Sequence, residues 1–202
     1  MRALIHQSFK FNQISSAARG YGGPFISLLI LLPLIAGLSA CANHERRSTG
    51  TVLNDQSLEY EVISSIRSNP NFGENDHIKV EVHQGVVLLA GETVSEENKI
   101  LATTLAEKPR LTERVVNDLK VGDRSGFGGK LDNSWLTTKV NSVLVAENPL
   151  PGNDASRIKV VSSQNVVYLM GLVTRAEGEK VAEVVRNIGG VEKVVKIFEY
   201  TD

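Results

Sequence analysis

The chain has 202 residues, and its 22 Lys and Arg nearly balance 23 Asp and Glu, a formal net charge of −1. That balance excludes wholesale attraction to nucleic acid, which needs a clustered excess of basic side chains. A single cysteine excludes an intrachain disulfide framework.

Residues 1–40 carry Arg2, Lys10 and Arg19 with no Asp or Glu, then run apolar from Phe25 to Leu38. This is the order of a secretory signal, a positive region followed by a short hydrophobic one. Ser27, Pro33 and Gly37 interrupt the run, and a permanent membrane span needs about 20 mostly apolar residues. A cleaved signal is therefore the stronger reading. Leu38-Ser39-Ala40-Cys41 resembles the lipobox of bacterial lipoproteins, in which the cysteine thiol is acylated and becomes the mature N-terminus. Ala40 and Ala42 also satisfy the small-x-small rule of ordinary cleavage, but Cys41 is the sole cysteine and has no partner to pair with. Without residues 1–40 the chain keeps 22 − 3 = 19 basic and 23 acidic side chains, a charge of −4. Ala42, where an Asp would signal inner-membrane retention, makes the resemblance imply the inner leaflet of the outer membrane. Residues 41–54 read as a lipidated N-terminus and tether.

The rest of the chain is a repeat. Ile78-Lys79-Val80 recurs as Ile158-Lys159-Val160, and Val86 to Gly91 recurs as Val166 to Gly171, at one offset of 158 − 78 = 166 − 86 = 80 residues. Each copy opens with a helix whose apolar stripe is Leu58, Val62 and Ile66, then Leu136, Val140, Val143 and Leu144, spaced three to four apart. Asp55 and Asp132 are expected to cap these helices. Ile78, Val80 and Val82 alternate with Lys79, Glu81 and His83, the period of a half-buried strand. Gln84-Gly85 and Gln164-Asn165 suit tight hairpins into strands 86–90 and 166–170, because Gly and Asn tolerate positive φ.

Second helices are expected from Ser95 and from Thr174, where Thr174 and Glu177 have the spacing of a capping box. Their apolar positions are Ile100, Leu101 and Leu105, then Val181, Val184, Val185 and Ile188, and Gly189-Gly190 stops the latter. Last strands follow at 115–121 and 194–200. Each copy thus reads helix, strand, strand, helix, strand. The predicted fold is α/β of the α+β kind, with modules at 55–121 and 132–202 that each pack two helices on a three-stranded mixed sheet. A glycine-rich linker, 122–131, joins them.

This order, the Val-x-Leu-x-Gly pattern on the second strand and the Gly190-Val191 step before the last one resemble the BON module of bacterial envelope proteins, over residues 55 to 200. The first copy departs at Pro109-Arg110-Leu111-Thr112, where the second has Gly189-Gly190-Val191. Asp132 to Val140 and Tyr168 to Thr174 are the most specific stretches of likeness to outer-membrane lipoproteins with two such modules.

No catalytic constellation stands out, so neither a catalytic residue, a metal site nor a cofactor is expected. His44 lies in the tether, and His77 and His83 bracket a strand as solvated or capped side chains. Ser64-Ser65 and Ser162-Ser163 lack the Gly-x-Ser-x-Gly elbow, and the linker lacks the Lys-Ser/Thr ending of a phosphate-binding loop.

Helix 134–147 is more informative. At 100° per residue, Trp135, Lys139, Ser142 and Val145 fall roughly 80° to 180° from the core stripe. Periodicity alone is also consistent with Trp135 as a lid on its own core. The resemblance implies instead that the first helix of the second module binds anionic phospholipid such as phosphatidylglycerol or cardiolipin, through Trp135, Leu136, Lys139, Ser142 and Val145. The corresponding helix of the first module, with Glu59, Glu61 and Arg67, is the poorer candidate. The family therefore implies a non-enzymatic, lipid-anchored protein on the periplasmic face of the outer membrane that supports envelope integrity and division. The alternative is a protein-interaction or chaperone-like periplasmic module that takes outer-membrane assembly components or unfolded chains through a strand edge.

Cys41→Ala should leave an exported chain that is unanchored or uncleaved, since the thiol is the only acyl acceptor in the lipobox. Membrane fractionation with acyl labelling checks this. Normal processing and acylation of the variant would refute the lipobox.

Overall fold

The computed structural model describes residues 49–122, 134–150 and 157–202. Cys41, the signal, most of the linker and Asp132 lie outside the described residues. Residues Arg46–Asp202 form one compact unit, and every apolar core described below is closed within it.

The first module comprises α1 (Thr49–Arg67), β1 (His77–His83), β2 (Val86–Thr93), α2 (Glu96–Glu107) and β3 (Arg114–Val121); the second comprises α3 (Ser134–Glu147), β4 (Ile158–Ser163), β5 (Val166–Val173), α4 (Arg175–Arg186) and β6 (Lys193–Tyr200). The predicted order holds in both copies. Each sheet has its second strand in the centre, antiparallel to the first and parallel to the third. The hairpins close as predicted: Gln84 and Gly85 have φ of 51° and 76°, and Gln164 and Asn165 have 50° and 61°, the geometry a two-residue turn needs. Ser95 caps α2 by accepting from Asn98 N at 3.1 Å. Thr174 and Glu177 form the predicted capping box on α4.

Three expectations are corrected. Residues 49–54 belong to α1 rather than to the tether. Asp55 lies inside that helix, not at its cap, and is buried; its carboxylate accepts from Gln84 N at 2.9 Å and Gly85 N at 3.0 Å, so it closes the β1–β2 turn. Ile100, expected on the core face of α2, is 65% exposed; Ala102 and Ala106 join the expected Leu105 in that core.

The glycine of the Val-x-Leu-x-Gly pattern has a steric cause. A Cβ on Gly91 would lie 2.1 Å from His77 O, and one on Gly171 would lie 2.4 Å from Arg157 O. Both are far inside contact distance, and the obstacle is backbone that cannot step aside.

Each module closes one apolar layer between its helices and its sheet. Leu58, Val62 and Ile66 meet Val87 and Leu89 in the first, and Leu136, Val140 and Leu144 meet Val167 and Leu169 in the second. The alternate residues of the same central strands point the other way. Val86, Leu88 and Ala90 pack with Val161, Val166, Tyr168, Met170 and Ile197 in a third cluster. The two sheets therefore lie back to back with the helices outside. Every residue of β2 is buried, as is every residue of β5 except Leu172.

Polar groups fix this contact. Tyr168 Oη donates to Asp118 Oδ2 at 2.8 Å, and burial together with that carboxylate pushes the phenol pKa up. Lys159 Nζ meets Glu81 at 2.7 Å and Glu59 at 3.6 Å and donates to Val82 O at 3.0 Å. Gln164 Nε2 donates to Glu92 Oε1.

Leu88→Ala should cost about 2–5 kcal/mol, because a fully buried leucine leaves a cavity that relaxes only in part. Leu88 is in the first module, yet the loss should appear as an earlier urea midpoint of Trp135 fluorescence in the second, in one shared transition.

A second test concerns Asp76, which accepts from Thr93 Oγ1 at 2.6 Å, Gly73 N at 2.9 Å and Val94 N at 3.1 Å. Burial raises its pKa, but these bonds and one from Asn98 outweigh it, so the carboxyl sits below its ordinary value. A depressed folded pKa stabilises above the unfolded value and loses that stabilisation as pH falls through the folded one. Asp76→Asn should cost about 1–3 kcal/mol at pH 7, and the gap to the parent in urea melts should shrink below about pH 4.

Candidate functional site

The site is built on α3. Leu136, Val140 and Leu144 recur at helical spacing and are buried, which fixes the helix on its sheet. The helix ends at Asn148, whose φ is 46°, and Pro149 follows, a residue that cannot continue a helix.

That orientation brings Trp135, Lys139, Ser142 and Val145 to the outer face. Trp135 is 53% and Val145 64% exposed, and Lys139 and Ser142 are exposed too. Leu136 is 0% exposed, which corrects its place among the contact residues. It belongs to the core stripe, and its side chain cannot reach a surface while the module is folded.

Two hydroxyls on this face are bonded back to the helix. Thr138 Oγ1 donates to Ser134 O at 3.1 Å and Ser142 Oγ to Thr138 O at 2.9 Å, each one helical turn back. Those hydroxyls can leave water with a bond already made, which lowers the cost of desolvating the face. Between Ser134 and Ala146 the helix has no carboxylate, and Lys139 is its only cation.

Trp135 is not simply solvated. The Cη2 tip of its six-membered ring points edge-on at Gly190, in the turn between α4 and β6. Lys139 Nζ donates to Gly189 O at 2.7 Å and lies 5.9 Å from the centroid of the same indole, within reach of its negative face. An open groove beside them is lined by Lys139, Val143, Glu147, Val184, Asn187 and Ile188. The edge of the indole thus meets the turn while the residue remains 53% exposed.

The turn under the indole lay beyond sequence reasoning. Gly189-Gly190 reads as a helix stop, and only its departure from Pro109-Arg110-Leu111 hinted at more.

The first module differs at the aligned positions, although Leu53 and Tyr60 are exposed on its own first helix. The buried leucines Leu58 and Leu136 align the two helices, so Ser57 and Glu61 stand where α3 has Trp135 and Lys139, and Arg67 stands where it has Val145. Of the histidines, His77 is partly exposed while His83 is buried at 4% exposure, so of the two expected alternatives, solvated or capped, the solvated one does not hold for His83. Among the described residues no three His, Cys, Asp or Glu gather to hold a metal ion, and no helix is long and apolar enough to cross a membrane.

The family model for the BON domain matches residues 54–123 and again 132–202. The chain belongs to the BON family. It is 31% identical over 156 residues to the outer membrane lipoprotein DolP of Haemophilus influenzae, covering 77% of this chain and 79% of that one. It is 31% identical over 154 residues to the 21 kDa hemolysin of Actinobacillus pleuropneumoniae, covering 76% and 78% respectively. Among solved structures, CdsD, a structural protein of the type III secretion system of Chlamydia trachomatis, matches with TM-score 0.27 at 11% identity over 70% of this chain and 91% of that one. A likeness that weak has no bearing on function. Two BON domains and the extent of the first match make this a dual-BON, DolP-like chain with an α+β fold.

Proposed function

We propose that this dual-BON chain is a non-enzymatic outer-membrane lipoprotein, held by acylated Cys41 on the periplasmic face, whose second module docks α3 on anionic phospholipid. The likeness to an outer membrane lipoprotein supports the envelope location. The observation that carries the lipid reading is the outer face of α3, where Trp135 and Val145 are more than half exposed and the one charge before Glu147 is Lys139. A tryptophan suits the bilayer interface because its ring is largely apolar while its indole N–H stays wet. An exposed ammonium beside it favours a negative headgroup, and phosphatidylglycerol and cardiolipin have that charge.

The two contacts divide the work. The acyl chains supply attachment, since stable anchoring takes more than one hydrocarbon chain or a second signal. The helix supplies selection among lipids, and with it a means of gathering the protein where anionic lipid is rich, division sites included. The strand-edge alternative loses ground at β1, where Val82 N donates to Glu59 at 3.4 Å and Val82 O accepts from Lys159. An added strand would have to displace both.

Co-sedimentation of residues 46–202 with vesicles tests the reading. Trp135→Glu and Val145→Glu should each abolish binding to phosphatidylglycerol vesicles and keep the parent's melting temperature, because they place charge where apolar atoms must enter the interface. Lys139→Ala should weaken binding less, and mainly at low salt, as exposed charges are screened over about 8 Å at physiological ionic strength. Val140→Glu, in the core, should unfold the module and serves as the control. If Trp135→Glu binds like the parent, α3 is not the lipid helix.

A further inference from the structure

Resting on the reading of α3 as the lipid helix, we infer that the α4–β6 turn is the other half of that site. Gly190 is a positioning residue that seats the Trp135 indole, and Gly189 holds the Lys139 ammonium beside it.

The geometry of the seat is specific. Gly190 has φ of +104°, and a Cβ built on it would lie 2.6 Å from Trp135 Cη2 and 3.5 Å from Cζ2 and Cζ3. All three atoms belong to the six-membered ring, so the indole occupies the volume that any side chain at 190 would fill. The obstacle is the far end of a side chain rather than backbone, so adding a Cβ would move the ring and spare the fold. Lys139, one helical turn along, has its Nζ on the adjacent peptide at 2.7 Å. Two side chains with free torsions are thereby held before any lipid arrives, which removes ordering entropy from the docking step.

The repeat supplies an internal comparison. The turn bonds Thr112 N to Pro109 O and Val191 N to Ile188 O correspond, as do Glu113 N to Gly85 O and Glu192 N to Asn165 O. Gly190 therefore corresponds to Leu111, and Trp135 to Ser57. In the first module the bulk is on the turn and the small residue on the helix; in the second the two are exchanged. Leu111 does not have a positive φ, so the backbone of the turn has changed together with the pair. A tryptophan needed only for its exposed face would require neither change.

Gly190→Ala in residues 46–202 tests the seat. Trp135 is the only tryptophan, so its emission reports the ring directly. Emission should shift to the red, and affinity for phosphatidylglycerol vesicles should fall at least fivefold, with far-ultraviolet circular dichroism unchanged. In a Trp135→Phe background, whose ring does not reach the Cη2 position, the same Gly190→Ala should change affinity less than twofold. Backbone strain at residue 190 is common to both backgrounds and the ring clash is not, so the cycle separates them. Equal losses in the two backgrounds, or parental emission and affinity in Gly190→Ala, would overturn the seat. Should Gly190→Ala fail to fold, the nuclear Overhauser spectrum of the parent decides, since it must show contacts from Trp135 Hη2 to Gly190 Hα and their absence removes the proposal. The lipid reading stands or falls separately on Trp135→Glu, and the emission shift and Overhauser contacts test the seat whichever way that goes.

Discussion

The back-to-back contact of the two sheets is the constraint on which the rest depends. A three-stranded sheet with helices on one face leaves its other face apolar and wet, and a module of this size is marginal as a lone folding unit. Here each module covers the other. Val86, Leu88 and Ala90 meet Val166, Tyr168 and Met170, so β2 and β5 contribute alternate residues to two different cores. The consequence for function is directional. With both inner faces consumed, all four helices lie outside, and α3 can offer a face to a bilayer without uncovering a core.

The polar groups at that contact give it register. Apolar faces slide easily over one another, but Tyr168 on Asp118 and Lys159 between Glu81 and Glu59 are satisfied in one alignment only. Partly buried ion pairs of this kind add little net stability once desolvation is counted. Their effect here is to disfavour the wrong alignments, each of which would strand a charge. Lys159 has a second effect, because its bond to Val82 O closes a carbonyl on the edge strand β1, the sort of exposed group that invites another strand.

The element order was legible because each signal was local. Helical spacing, strand alternation, positive-φ turn residues and a capping box lie within a few residues of one another, and each formed as read. What escaped depended on partners distant in sequence. Asp55 looked like a cap because it precedes Leu58, but its carboxylate reaches a turn about thirty residues away. Ile100 fits the apolar period of α2, yet period alone does not say how wide a stripe the sheet covers, and Ala102 and Ala106 suffice. The sheet contact did leave a trace. Val86-Val87-Leu88-Leu89-Ala90 is apolar without alternation, the pattern of a strand buried on both faces, whereas β1 alternates. On α3 the outer face was readable from angle alone, but Leu136 was grouped with it through likeness, and its own angle already assigned it to the core.

The asymmetry between the modules follows from what each first helix must do. In α1, Glu59 is committed to Lys159 and to Val82 N, and exposed Glu61 and Arg67 stand where α3 has Lys139 and Val145, so at the aligned positions that face offers a carboxylate in place of the cation and a charge in place of the apolar residue. The position facing Lys159's helix-side partner has no such duty in α3, whose outer face has shed carboxylates as far as Glu147. Its one cation is tied to a backbone carbonyl, and among the described residues no acidic side chain forms an ion pair with it. The two outward helices thus differ in duty, since Glu59 of the first helps hold the sheets together and the only charge of α3 before Glu147 is bonded to the turn beside it.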